Sequence, residues 1–251
     1  MGRKVALVRA LGHGCREGLV NEGFEVVDFS HLPVVGSPYV ERFSFLRRYL
    51  YDQRSRGLLF RWVVTTDVRD VCFQRNPLDY LARFDPRDPP RLVLSQEGLR
   101  YEHAPWNYDN MRAAFGEDAV QMLRDVPFCN VGVLAGRHRA IEGLAFLIEQ
   151  LSIAARNDVS DQAALNLLVE EICGEPVVHR ASSAEPWACH AGVMADRRIE
   201  QNRPFLVSPE PVWCNGLVLT ASGEPYVIVH QYDRAAWRVA IEERYGGSNT
   251  P

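Results

Sequence analysis

Two apolar segments, KVALVRA (residues 4–10) and FEVVDFS (residues 24–30), flank GCREGLVNEG, which has helical spacing and stops at Gly23. Strand, helix and strand in that order imply a parallel strand pair with a right-handed crossover. That opening commits the chain to the α/β class, with Gly23 as the residue that ends the first helix. The alternation continues. PYVERFSFLRRYLYDQRS (38–55) reads as an amphipathic helix with Phe43, Leu46 and Leu50 on one side, and LLFRWVVTTD (58–67) as the next strand. NPLDYLARF forms a short helix or turn, PRDPPR a loop and RLVLSQE (91–97) another strand. YDNMRAAFGEDAVQMLRD is helical, and PFCNVGVLAGR reads as a strand closely approached by another group. RAIEGLAFLIEQLSIAAR and SDQAALNLLVEEIC are helices, the second with Ser160 at its N-cap and Asp161 and Gln162 in its first turn. From Glu175 the pattern turns to short strands, and GLVLTASGEPYVIVHQYDR (216–234) reads as a hairpin whose second strand ends on His230.

The fold expected is therefore a single α/β domain over residues 1–251, with a mixed, mainly parallel sheet flanked by helices. With 47% hydrophobic residues, 251 residues suffice for one sizeable core. A net charge of −4 argues against nucleic acid or an anionic membrane as a partner. The first apolar run is too short for a signal peptide and is broken by Arg9, and no stretch is long enough for a membrane span. The six cysteines (Cys15, Cys72, Cys129, Cys173, Cys189, Cys214) form no paired motif and read as reduced, mostly buried thiols. These features point to a cytoplasmic protein.

VVTTDVRD (63–70) drives an apolar strand onto Asp67, Arg69 and Asp70. In open α/β sheets ligands sit beyond the carboxyl ends of strands, and carboxylates there need a cationic partner. Two of them suit Mg²⁺ or Mn²⁺; the plainer reading is a turn cap at Asp67 and an Asp70–Arg69 or Asp70–Arg75 pair. His230 also ends an apolar strand, so it can converge with Asp67 and Asp70 on one sheet edge as a third metal ligand. Glu97 ends a strand on that same edge. Arg42, in the helix before the Asp67 strand, can reach toward a ligand at that edge, although a solvated helix face accounts for it equally well. EHAPWNYDN (102–110) reads as a ligand-binding or packed surface loop. Cys129, His179 and His190 form no recognisable nucleophile or zinc set.

Four stretches in order then resemble one family. TTDVRDVCFQRNPLDYL resembles the D-x-D segment of GT-A-fold glycosyltransferases, FCNVGVLAG their N-x-G strand, SDQAALN their D-Q-x-x-L-N helix start and VHQYDRAAW their histidine-containing metal segment. The set is most similar to the retaining glycogenin-like and bacterial galactosyltransferase-like enzymes. Two departures stand out: Arg69 occupies the usual place of the second aspartate, with Asp70 one residue later, and the chain lacks the G-x-x-K-P-W continuation, offering Arg234 where a lysine would meet phosphate. The resemblance implies a nucleotide-binding half (about residues 1–80) and a sugar and acceptor half (about 81–251). It implies Mn²⁺ or Mg²⁺ on Asp67, Asp70 and His230, and a UDP- or GDP-sugar donor contacted by Asp67, Arg69, Gly132 and Arg234. Asp161, Gln162 and Asn130 would serve the transferred sugar, with retention of configuration, and the acceptor is left open: glycan, small molecule or protein. Arg69 would pair with the carboxylates in preference to reaching the diphosphate. Two rival readings are a sugar-phosphate nucleotidyltransferase, against which RALGHGCRE carries little positive charge, and a catalytically silent nucleotide-sugar-binding module.

Overall fold

The computed structural model describes residues 2–34, 36–171, 177–195 and 198–245. Cys173 and Glu175, where the sequence pattern changes, lie outside the described residues. The opening unit is as expected: β1 (Lys4–Val8) and β2 (Phe24–Asp28) pair in parallel, joined by α1 (His13–Asn21). Gly23, at φ 79°, takes the left-handed conformation that closes the helix without a side-chain clash.

α2 (Pro38–Ser55) begins on a proline whose missing N–H costs nothing in a first turn. It buries Val40, Phe43, Leu46 and Leu50. Its strand successor is shorter than expected: β3 (Val63–Thr66) and β4 (Val71–Phe73) bracket the aspartate turn, and residues 58–62 lead into β3 without pairing. α3 (Pro77–Leu81) is capped by Asn76, whose side-chain oxygen accepts the Leu78 N–H at 3.1 Å. β5 (Leu92–Arg100) follows. The helical stretch after it divides into α4 (Pro105–Phe115) and α5 (Glu117–Leu123), because Gly116 at φ 94° breaks the run. β6 (Pro127–Gly136), α6 (His138–Ala154) and α7 (Asp161–Glu171) come next, then β7 (Val178–Ala181), β8 (Ala188–His190) and α8 (Ile199–Asn202). β9 (Val212–Cys214), β10 (Leu217–Leu219), β11 (Ile228–His230) and α9 (Arg238–Tyr245) complete the described chain.

The central sheet has the order β3-β6-β5-β7. β3, β5 and β7 run in one direction and β6 runs against them, so only the β5–β7 pairing of this mixed sheet is parallel. The expected parallel majority thus holds for strand direction, while β6, inserted between β3 and β5 and running against both, makes two of the three pairings antiparallel. Side chains alternate along β5. Leu92 and Leu94 join a core with Leu50 of α2 and Ile141, Leu144 and Ile148 of α6, whereas Val93 packs on the opposite face with Trp187 and Ile228. Two ion pairs, Arg47–Glu149 (2.8 Å) and Arg54–Glu142 (2.9 Å), tie α2 to α6 along their outer edges.

The expected C-terminal hairpin is corrected. Its turn does close, with Thr220 N–H donating to Glu224 O at 2.8 Å and Tyr226 N–H to Val218 O at 3.1 Å. However, β10 pairs with β9, and β11 leaves for another sheet, of order β4-β11-β8. The fully apolar Val227–Val229 run finds more burial between β4 and β8 than a two-stranded ribbon could offer.

Beside Trp187, the Glu185 carboxylate accepts the Tyr80 hydroxyl (2.8 Å), His179 Nε2–H (3.0 Å) and the Ser182 N–H (3.0 Å). Burial pushes its pKa up, but these three bonds outweigh it and hold the carboxyl down at about 2. A depressed acid stabilises the fold above its unfolded pKa and loses that contribution as pH falls through the folded value. Glu185→Gln is therefore expected to lower the denaturant midpoint above pH ~5 and to match wild type near pH ~2. A constant difference across that window would show that the carboxylate charge contributes nothing.

Candidate metal and donor site

β3 delivers Asp67. Its N–H continues the β3–β6 ladder by donating to Gly132 O at 2.9 Å, so the residue is still aligned with β6 when the chain turns. The turn throws Val68 into solvent, 94% exposed, and brings Asp70 back inside, 6% exposed. Asp70 O then accepts the Gln231 N–H at 2.7 Å, which locks the turn to the end of β11. His230, the last residue of β11, is buried. Gln231 has φ 59°, and this left-handed step sends the chain away from the site.

These backbone constraints place ligand atoms of Asp67, Asp70 and His230 within 4.8 Å of one another. His230 Nε2 lies 3.3 Å from Asp67 Oδ2 and 3.8 Å from Asp70 Oδ1. Beneath them is Gly132. A Cβ there would stand 2.5 Å from His230 Cε1 and 2.8 Å from Asp67 Oδ2, so only glycine leaves the imidazole and carboxylate in place. The donor set is two carboxylate oxygens and one imidazole nitrogen, and ligands at ~2.0–2.2 Å around a six-coordinate cation are spaced by about 3 Å, so the group fits Mn²⁺ or Mg²⁺.

The carboxylate partner expected of Arg69 is supplied elsewhere. Arg69 is 81% exposed at its side chain, and its ion pair is with Asp233 at 3.7 Å. In a turn that points Asp67 and Asp70 inward, the residue between them faces out. Arg42 of α2 does what Arg69 was expected to do: it binds Asp67 Oδ1 through one nitrogen and Asp161 Oδ2, at 2.6 Å, through another. Burial raises the Asp67 pKa, but the His230 hydrogen bond and the Arg42 charge outweigh it and hold the carboxyl below its ordinary value. At Asp161 burial wins and raises the pKa, with Arg42 only moderating it.

Asp161 opens α7, and its Oδ1 accepts the Gln162 N–H at 2.9 Å. Gln162 and Asn130 belong to a buried polar network that Glu97 organises. Glu97 Oε1 accepts Asn130 Nδ2–H at 2.6 Å and Gln162 Nε2–H at 3.0 Å. Asn130 Oδ1 accepts the Gly132 N–H (2.7 Å), Gln162 Oε1 the Val131 N–H (3.3 Å), and Asn107 Oδ1 the Gln162 amide (2.6 Å). The polar atoms of Asn130 and Gln162 are thus engaged with their neighbours. Burial raises the Glu97 pKa, and the two amide hydrogen bonds and the charges of His230 and Arg234 only offset it. Arg234 sits in the single 3₁₀ turn after β11, half-exposed, with Nε 3.9 Å from Asp233.

Arg42, Asn107 and His190 carry no motif. Arg42 was legible only by its place on the helix before the Asp67 strand, from which its carboxylate partners could not be read. The stretch 102–110 is mostly the start of α4 rather than a loop, and Asn107 joins the site from there. Buried His190 has its pKa driven well below the ordinary value, first by burial and then by the charge of His230.

Removing Arg42 leaves Asp161 buried without a cation. Arg42→Gln is expected to cost about 1–3 kcal/mol near neutral pH, below the full value for a buried pair because the guanidinium is partly exposed. An acid with a raised folded pKa is destabilising while ionised, and protonation relieves it. The deficit should therefore shrink as pH falls through the carboxylate range. Urea unfolding of both proteins at neutral and acidic pH checks this, and a deficit that grows on acidification contradicts it.

No protein-family model matches the chain, and no curated protein matches it in sequence. Solved structures do. Mouse xyloside xylosyltransferase 1, in its apo form, aligns over 90% of this chain and 82% of its own with a TM-score of 0.51 at 13% identity. A glycosyltransferase involved in glycosylation of the major capsid of PBCV-1 aligns over 97% and 98%, at 13% identity and a TM-score of 0.41. The chain has a GT-A-like glycosyltransferase fold.

Proposed function

We propose that the chain is a divalent-metal-assisted glycosyltransferase that moves a sugar from a UDP- or GDP-sugar to an acceptor hydroxyl. The observation that carries this reading is the convergence of Asp67, Asp70 and His230 over Gly132, within a fold shared with a xylosyltransferase. In this reading those three residues hold Mn²⁺ or Mg²⁺, which when bound supplies positive charge for the departing diphosphate. Residues 1–80 form the nucleotide half, and 81–251 supply the sugar and acceptor half together with His230.

The remaining roles fall to the chain's own side chains. Arg234 and Arg69 stand on the exposed rim, with forked donors matched to phosphate oxygens. Asp161 accepts a sugar hydroxyl, and Arg42 holds its carboxylate in position for that task. Asn130 and Gln162, braced by Glu97, wall the pocket and set the sugar's orientation, while Gly132 permits close approach. Retention of configuration is proposed from the family resemblance. The binding-module alternative drew its support from Arg69 at an acidic position, and the clustering of Asp70 with Asp67 and His230 speaks against it.

Calorimetric titration of UDP- and GDP-sugars into the wild type, with Mn²⁺ and with chelator, tests the reading. At least one donor is expected to bind at least ~10-fold more weakly in chelator, about 1.4 kcal/mol of binding free energy. Asp70→Asn should bind that donor in Mn²⁺ as weakly as the wild type does in chelator. Slow release of nucleoside diphosphate without acceptor should accompany wild-type binding. Undiminished donor affinity in chelator would remove the metal from the mechanism, and tight binding without any hydrolysis or transfer would reduce the chain to a binder.

A further inference from the structure

The imidazole of His230 has a second nitrogen, and its environment is unusual. β11 and β8 pair in parallel with His230 directly opposite His190. The two rings stand edge to face, and their Nδ1 atoms are 3.0 Å apart. On its far side, His190 Nε2 lies 2.7 Å from Ser95 Oγ of β5. His190, His230 and Ser95 are all at least nine-tenths buried. A line of hydrogen bonds therefore runs from the face carrying Asp67 and Asp70, through two imidazoles, to a hydroxyl in the central sheet.

Only one proton can occupy the space between the two Nδ1 atoms. An imidazole that gives its Nε2 lone pair to a cation carries its own proton on Nδ1. At His230 that proton points at His190 Nδ1, which must then be a bare acceptor. The proton of His190 accordingly sits on Nε2, where Ser95 Oγ accepts it. Each of the ring nitrogens between Ser95 and the cation then has one consistent role. The strand register fixes this arrangement, since both histidines end their strands at the same level.

We propose that His190 is a positioning residue, whose Nδ1 accepts the Nδ1–H of His230 and so holds His230 in the tautomer and ring orientation that present Nε2 to a cation shared with Asp67 and Asp70. Ser95 completes the device by fixing the tautomer of His190. The proposal rests on the reading of Asp67, Asp70 and His230 as a metal site, and its test separates the two.

Mn²⁺ alone is titrated into wild type, Asp70→Ala, His190→Leu and His190→Asn, with free Mn²⁺ followed by electron paramagnetic resonance and folding by denaturant unfolding. Leucine fills the space and removes the acceptor, and is expected to weaken Mn²⁺ binding ~10–100-fold, the range typical of lost outer-sphere partners. Asparagine offers an oxygen in place of Nδ1 and should recover most of that loss. Long-range ¹H–¹⁵N spectra of the wild type in saturating Mg²⁺ should show His230 protonated at Nδ1 and His190 at Nε2. If folded His190→Leu binds Mn²⁺ as the wild type does, or if His230 carries its proton on Nε2 in the metal complex, His190 has no such role. If the wild type binds no Mn²⁺, or Asp70→Ala binds it equally well, the metal site itself is overturned and the proposal falls with it.

Discussion

Three carboxylates, Asp67, Asp70 and Asp161, converge where helix ends and strand ends meet, and two of them are almost fully buried. Like charges at ~4 Å repel by about 4 kcal/mol at the effective dielectric of a protein surface region, and desolvation adds to that. The site's construction follows from this repulsion. One guanidinium, Arg42, spans two of the carboxylates, and it comes from a helix that is otherwise committed to the core. Asp67 splits its oxygens, giving Oδ1 to Arg42 and turning Oδ2 toward His230. Among the described residues Asp70 has no such cation in contact: the basic atom nearest to it is the His230 imidazole nitrogen, 3.8 Å away. The negative charge left over at Asp67 and Asp70 is the physical reason for reading the group as a cation site.

Backbone geometry makes this crowding tolerable. The Asp67 and Asp70 main chains are each pinned by a hydrogen bond, to Gly132 and Gln231. The two main chains therefore cannot move apart without breaking the sheet edge. The absence of a side chain at Gly132 supplies the remaining space. Beyond it, Glu97 gathers the amides of Asn130 and Gln162 on one buried oxygen. This network ties β5, β6 and α7 together at one level, so the wall of the pocket and the first turn of α7 are set by the same bonds.

Much of this was legible in the sequence, and the failures have specific causes. Asp67, Asp70 and His230 could be found because each interrupts or ends an apolar strand, and burial of apolar residues dictates where the chain must surface. The partners of β11 could not, because they lie far away in sequence, at residues 71–73 and 188–190, and local pattern favoured a hairpin with β10 instead. The Arg69 expectation failed through the same locality: a cation between two acids in sequence points away from them in a turn. Arg42 is 25 residues from Asp67 and was legible as a candidate on the helix before the Asp67 strand, but not as the partner of Asp67 and Asp161. His190 carried no signal, because its meaning depends on a strand register.

The site's two halves differ in what holds them. Asp67, Asp70 and His230 are fixed by strand backbone and by a glycine that admits no alternative. Arg42 and Asp161 are fixed by side-chain contacts between α2 and α7, and Arg42 Nε is buried with no hydrogen-bond partner among the described residues. A long arginine side chain held by two carboxylates, with one donor unused, is the part of this constellation with most freedom to re-form its bonds. An anionic ligand entering beside Asp67 would compete for the guanidinium at small backbone cost, whereas displacing His230 would mean parting β11 from β8. Any such rearrangement would fall on the helix side, while the sheet side is held by its backbone hydrogen bonds.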